Sequence, residues 1–264
     1  MKKLFLFIVL VLVLALVLVS VILFFTTKNS RPVVVVDSLE IVVARYNEKL
    51  QWLRDAPFNK YPVIVYNKGP NENFEKTSMI QRVVPLPDVG REGHTYLYHI
   101  IQNYDSLADI TCFFPGSTDT EHKMEKATAI FKEIETKHKK TVLACHYKMD
   151  NISKELYSFE LDKYHATNED NNIANNNYNI EPSKIRPFGK WFKHHFGDTV
   201  ITCAVGGMVF SVSREDILKK PKAHYEKLLK EVDSHSNPET GHYFERSIEA
   251  IFYPITKDKM VNLG

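Results

Sequence analysis

The sequence predicts an α/β domain with a mostly parallel central sheet, preceded by one transmembrane helix. From Glu40 onward, apolar β-branched runs alternate with amphipathic helical stretches. The runs are compact and nearly continuous, as in strands buried on both faces. Ahead of them, Leu4–Phe25 is an unbroken run of 22 residues whose only polar member is Ser20.

At about 1.5 Å per residue that run spans roughly 33 Å, enough for a hydrocarbon core of about 30 Å. A cleaved signal peptide would carry a shorter apolar region, about 7–15 residues, ending at a small-residue cleavage site. Here Val21–Phe25 leads instead into Thr26-Thr27-Lys28. The expectation is an uncleaved anchor: residues 1–27 as cytoplasmic tail and span, with contact to the membrane through residues 4–25, and 28–39 as a stem containing Pro32. Lys2 and Lys3 compete with Lys28 and Arg31 for the cytoplasmic side. The short amino-terminal tail favours a single-pass type II arrangement with a lumenal or extracytoplasmic body. Asn151-Ile152-Ser153 would then be a glycosylation acceptor, making the chain a glycoprotein.

Within 40–264, Ile41–Tyr46 and Tyr61–Tyr66 read as the first two strands, the second ending in the turn residues Asn67-Lys68-Gly69. Asn47 is placed to cap a helix over Asn47–Leu53. Ile80–Val84 is a third strand, closed off by Pro85 and Pro87. A helix follows Gly90–Gly93, with Leu97, Ile100, Ile101 and Tyr104 at helical spacing. Ile110–Phe114 and Thr141–Tyr147 are further strands around an amphipathic helix carrying Met124, Ala127, Ile130, Phe131 and Ile134. Residues 168–179 hold seven asparagines and read as a surface loop. Thr199–Ala204 and Met208–Val212 are strand-like, and Ser213-Arg-Glu-Asp216 has capping-box spacing at a short helix that Pro221 interrupts. Tyr225, Leu228, Leu229 and Val232 mark the next helix; Phe244, Ile248, Ile251 and Phe252 mark the last.

Composition excludes several classes. With 44% hydrophobic and 12% aromatic residues the chain is no disordered polyelectrolyte. Four of the 34 basic residues lie in residues 1–31, leaving 30 against 32 acidic ones, so the body offers no broad basic face for nucleic acid. Zinc-protease, paired Cys-x-x-Cys, nucleophile-elbow and P-loop motifs are missing, and no organic cofactor is indicated. Cys112, Cys145 and Cys203 each sit in an apolar strand-like run, where a buried thiol is expected.

In an open parallel sheet, ligands bind beyond the carboxyl ends of the strands. That rule selects Arg45, Asn47 and Glu48 after the first strand and Asn67 and Lys68 after the second. It adds Arg91, Glu92 and His94 at the following helix start and Ser117 after the fourth strand. Lys68 and Arg91 would offset the charge of a diphosphate at a helix start rich in free N–H groups. Asp119, with Glu121 and His122 close by, offers ligands for Mn²⁺ or Mg²⁺, although a cap for the following helix is the plainer reading of Asp119. Near the end, His242, Glu245 and Arg246 fall on the first turns of an apolar helix. Glu245 would act as a general base if burial raised its pKa; a structural Glu–Arg pair is the plainer reading.

Several segments together resemble the domain-of-unknown-function 3431 family: Ile41–Glu48, Tyr66–Gly69, Val89-Gly-Arg-Glu-Gly-His-Thr-Tyr-Leu97, Asn103–Leu107, Arg186–Trp191 and Gly241–Arg246. The likeness runs from Glu40 to Pro254. The family tends to carry Trp shortly after Glu-Arg, where Ile248 stands here, which bears on how the last helix packs. The family is similar, at a distance, to Rossmann-like glycosyltransferase A folds. That resemblance implies a nucleotide-sugar donor near Arg45–Glu48, an acceptor-side base among His242–Arg246, and a metal motif near Phe114–Asp119 that this chain lacks in its usual Asp-x-Asp form. The expected function is sugar transfer to a glycan or protein hydroxyl, with Glu245 or His242 taking the proton and Arg246 on the donor side. The alternatives are a non-catalytic binding domain on the same fold, or a hydrolase pairing Glu92 with Glu245.

Overall fold

The computed structural model describes residues 38–165 and 179–262. The predicted span over 4–25 and nearly all of the Asn-rich loop over 168–179 lie outside the described residues. Among the described residues, no helix is long and apolar enough to cross a membrane.

Nine strands and eight α-helices alternate along the described chain. The central sheet has seven strands. In chain order they are β1 (Leu39–Arg45), β2 (Val63–Asn67), β3 (Ile80–Pro85), β4 (Ile110–Pro115), β5 (Val142–Cys145), β8 (Phe210–Ser213) and β9 (Met260–Asn262). In space the order is β3-β2-β1-β4-β8-β5-β9. Every neighbouring pair is parallel except the two that β8 makes, so the sheet is mostly parallel, as the sequence predicts. A short second sheet pairs β6 (Tyr147–Lys148) with β7 (Cys203–Ala204).

The sheet is covered on both faces, which explains its continuous apolar runs. Val42, Ala44, Ile64 and Phe113 point to one side, with Ile41, Val43, Val65 and Phe114 on the other. The first side packs against α1 (Arg91–Gln102), α4 (Phe188–Phe196), α6 (Lys222–Leu229), α7 (Glu239–Glu245) and α8 (Ile248–Ile251). The second packs against α2 (Glu121–Lys137), through Ala127, Ile130, Phe131 and Ile134, and against Trp52, Leu53 and Phe58 from two short 3-10 turns. Phe58 meets Phe131 edge-on with centroids 5.4 Å apart. β3 is the exposed edge and ends at Pro85, which blunts it against further pairing. Ile248 is buried in the first core and borders a small apolar void beside Gly93 and Phe244.

Several local expectations are corrected. Asn47 starts no helix: its side chain accepts from Asn71 instead, and the 3-10 turn Gln51–Arg54 follows a left-handed Leu50. The predicted strand over Thr199–Ala204 shrinks to Cys203–Ala204, because Thr202 and Cys203 give their N–H groups to the Glu249 carboxylate. Tyr104 lies beyond the end of α1. The last predicted helix is two, α7 and α8, broken around Arg246–Ser247. Cys145 and Cys203 are not thiols but a disulfide, with Cα atoms 5.2 Å apart, while Cys112 is free and buried.

The Ser213 cap stands: its hydroxyl accepts from the Asp216 N–H at 3.0 Å and opens α5 (Arg214–Leu218). Asp216 does not complete the box. It is fully buried and takes Lys219, Lys259 and Thr141 as partners. Asn151 caps α3 (Ile152–Glu155), its side chain accepting from Lys154 N and Ser153 Oγ.

Candidate active site

The chain leaves β1 toward β2 and β3 on one side, then returns to place β4 on the other. The sheet order therefore reverses between β1 and β4, and a ligand crevice is expected above their carboxyl ends. Three helix starts and loops meet at this edge. α1 begins at Gly90 and Arg91, both left-handed, with φ of 62° and 49°. Glycine is required at 90: a Cβ there would sit 2.0 Å from the Val232 carbonyl oxygen. The strained Arg91 backbone is of the kind held where geometry matters more than local energy.

Arg45 is buried and held through Nε and Nη1, while its buried Nη2 has no partner. Its Nε donates to Glu48 O at 2.8 Å, and Nη1 to Asn67 Oδ1 and Asn71 O at 2.5 Å each. Phe74 lies under the guanidinium at 4.2 Å. Glu48 folds back to accept the Tyr46 and Asn47 N–H groups, with Gly116 packed against its carboxylate. Asn67 completes the knot by donating to Gly69 O. Arg45, Asn47, Glu48 and Asn67 thus come together, but they knit the strand-end turns to one another. Ser117 is likewise engaged, accepting from Lys123 at 2.7 Å.

Lys68, Arg91 and Glu92 form the next layer. The Lys68 ammonium donates to the Val89 and Arg91 carbonyls, and burial pulls its pKa down to about 7 against the opposing pull of Glu92 and Asp88. Burial works against the Arg91 charge too, but Glu92, Tyr164, Glu245 and Asp88 together raise its pKa above the usual value. Its guanidinium lies 3.6 Å from the Glu92 carboxylate and over the Tyr164 ring at 4.9 Å. Burial would push the Glu92 carboxyl up; Arg91, Lys123 and Lys68 outweigh it and hold the group below the ordinary range.

Glu245 behaves in the opposite way. Burial and the Glu92 charge raise its pKa, and Arg246, Arg91 and Lys123 do not compensate. Tyr96 shows how closely these carboxylates gather: after burial, Glu92, Glu245 and Glu48 each push its phenol further up. The Glu245 backbone is fixed by Val205, whose N–H donates to its carbonyl at 3.0 Å.

Glu245 and Arg246 border a cleft of about 200 Å³. His122 and Lys126 line it from α2, His146 and Tyr147 from the end of β5 and the start of β6, and Gly206 and Gly207 from the loop before β8. The disulfide braces this wall, since Cys145 precedes His146 and Cys203 precedes Ala204. Lys126, His146 and Tyr147 were not singled out by sequence, and His122 only as a possible metal ligand. One signal was readable: Lys126 falls one turn before Ile130, on the apolar stripe of α2, and is buried there.

The other expected residues lie apart from the cleft. His242 is buried, its Nε2 3.2 Å from Asn237 Oδ1 and its ring against Tyr164. Burial, Arg91 and Arg246 hold it well below the ordinary histidine range, so it stays neutral. His94, on α1, is buried and stacked on Tyr98, with Nδ1 unpartnered. Asp119 is exposed and does not cap α2; Thr120 holds that position without a side-chain bond. Among the described residues no group of three or more His, Cys, Asp or Glu is disposed to hold a metal ion.

Residues 41–260 match the family model described as "Protein of unknown function (DUF3431)". The chain belongs to this family. The match spans both strands that flank the reversal point, all of the cleft and the disulfide. No curated protein matches the chain, and no solved structure does.

Proposed function

We propose that this DUF3431 chain is a membrane-anchored glycosyltransferase-like enzyme, moving a sugar from a nucleotide-sugar donor to an acceptor hydroxyl. One observation carries the reading. Glu245, a carboxyl with a raised pKa, lines a cleft together with Lys126 and Arg246 and has Arg91 and Glu92, from the start of α1, among its electrostatic neighbours. A carboxyl raised by burial beside positively charged side chains is what acceptor activation requires. The strand order β3-β2-β1-β4-β8-β5, with one antiparallel member, supports a donor crevice above β1 and β4.

The acceptor oxygen forms the new bond to the anomeric carbon as its proton passes to a Glu245 carboxylate oxygen. The bond from that carbon to the diphosphate oxygen breaks, and its electron pair leaves with the nucleoside diphosphate. Arg91 and Lys68 offset the charge growing there. The described residues do not fit a protein-held Mn²⁺ or Mg²⁺: Asp119 is exposed and carries no clustered partner, so no step is routed through a metal.

The anchor over residues 4–25 and an extracytoplasmic body belong to the same proposal. The Cys145–Cys203 disulfide supports it, because such bonds persist in oxidising compartments. Protease protection of the body in sealed microsomes is expected; a freely digested body would reverse the orientation.

A thermal-shift screen against nucleotide sugars, with and without Mn²⁺, tests the donor. A shift for one nucleotide class is expected, and none for any donor would remove the proposal. A glycoside hydrolase is the second reading, favoured by the opposite shifts of Glu92 and Glu245, which suit a base and an acid. Release of reducing sugar from a simple glycoside without nucleotide would mark it.

A further inference from the structure

Neither Lys68 nor Arg91 lines the cleft beside Glu245. At about 200 Å³ it is smaller than the roughly 300–1,000 Å³ usual for drug-sized ligands, so it suits a compact group. Its charged side chains are mostly cationic. Lys126 is 4% exposed, and its ammonium gives one donor to the Gly206 carbonyl at 2.7 Å. An ammonium has three donors, so two remain for a guest. Arg246 donates through Nη1 to His242 O and lies over Phe159 at 3.7 Å, while its buried Nε has no partner.

Two imidazoles, His122 and His146, complete the lining. Burial, together with Lys123 and Lys126 around His122 and with Lys126, His122 and Arg246 around His146, keeps both below the ordinary histidine range. They present neutral rings that can each donate one hydrogen bond. Glycine keeps the facing wall low: a Cβ at Gly206 would meet the His146 Cβ at 2.8 Å. Two cations and two imidazole donors around a compact space match a phosphate group, which offers oxygen acceptors on every side.

We propose that this cleft is an acceptor-side subsite for a phosphate monoester, so that the acceptor is a phosphorylated molecule whose free hydroxyl faces Glu245. The proposal rests on the transferase reading for the word acceptor, and on the cleft alone for phosphate binding. Lys126 and Arg246 hold the phosphate oxygens; His122 and His146 donate to those that remain. Glu245 lines the same cleft, where a hydroxyl on the same molecule reaches it.

Calorimetric titration of the full-length protein with inorganic phosphate, glucose 6-phosphate and glucose is the test. Both phosphates are expected to bind and glucose to show no binding. Lys126→Met and His146→Gln are expected to weaken phosphate binding by about tenfold or more each. Near-UV circular dichroism confirms that each variant is folded; His146→Gln, at an exposed position, carries the test if Lys126→Met does not fold. Binding of inorganic phosphate but not the sugar phosphate would overturn the acceptor assignment. No phosphate binding, or binding unchanged in the folded variants, would overturn the subsite. Nucleotide-sugar turnover is scored separately, so loss of the transferase reading with phosphate binding intact is distinguishable from loss of the subsite.

Discussion

Breaking the Cys145–Cys203 bond should weaken the whole domain. The two residues are 58 apart in sequence, and they join the end of β5 to the start of β7. For a loop of that length, the chain-entropy relation gives about 4 kcal/mol of stabilisation through restriction of the unfolded chain. Domains of this kind are stable by about 5–15 kcal/mol in all, so the loss would be large. The assay is urea unfolding followed by the fluorescence of Trp52 and Trp191, both buried. It is run on the oxidised protein, the reduced protein and the Cys145→Ser/Cys203→Ser variant. The reduced protein and the variant should agree with each other and lie about 4 kcal/mol below the oxidised form. Thiol titration of the unfolded, non-reduced protein should find Cys112 alone. Three titratable thiols, or a variant within about 1 kcal/mol of the parent, would refute the reasoning.

Other expectations follow from single sites. His94 is buried with its pKa drawn down to about 4, while the unfolded group titrates at 6.5. The unfolded chain therefore binds more protons between those values, so stability is complete above pH 6.5 and falls as pH drops toward 4, by about 3 kcal/mol. His94→Gln should flatten that part of a stability-versus-pH curve measured in urea; an unchanged curve counts against it. Gly90→Ala should destabilise by about 1–3 kcal/mol or abolish folding, since the position is left-handed and faces the Val232 carbonyl. Phe131→Ala, which empties the aromatic cluster under α2, should cost about 3–5 kcal/mol by the same unfolding assay.

Much of the fold was legible because its signals are local. β1, β2 and β4 are apolar on both faces, and α2 carries one clear apolar stripe. What depends on distant partners was not legible. Nothing in Phe210–Ser213 says that this strand slips antiparallel between β4 and β5. Nothing near Cys145 names Cys203 as its mate. Thr199–Thr202 has strand composition, yet Glu249 takes the backbone donors that a longer strand would use. The candidate site divides in the same way. Glu245 and Arg246 were found because they stand charged on an apolar helix. Arg45 and Asn67 were rightly placed at strand ends, but only the folded chain reveals that their hydrogen bonds go to each other. Lys126 and His146 were missed because their value comes from meeting across a cleft between α2 and the end of β5.

The central claim is that Glu245 takes a proton from an acceptor as a sugar leaves its nucleotide carrier. The direct measurement is release of nucleoside diphosphate from a panel of nucleotide sugars by the full chain, beside Glu245→Gln. Release is expected from one donor class, falling by about 10²–10⁴-fold in the variant while donor binding stays the same. Release that is equal in the two proteins, or absent with every donor, would contradict it.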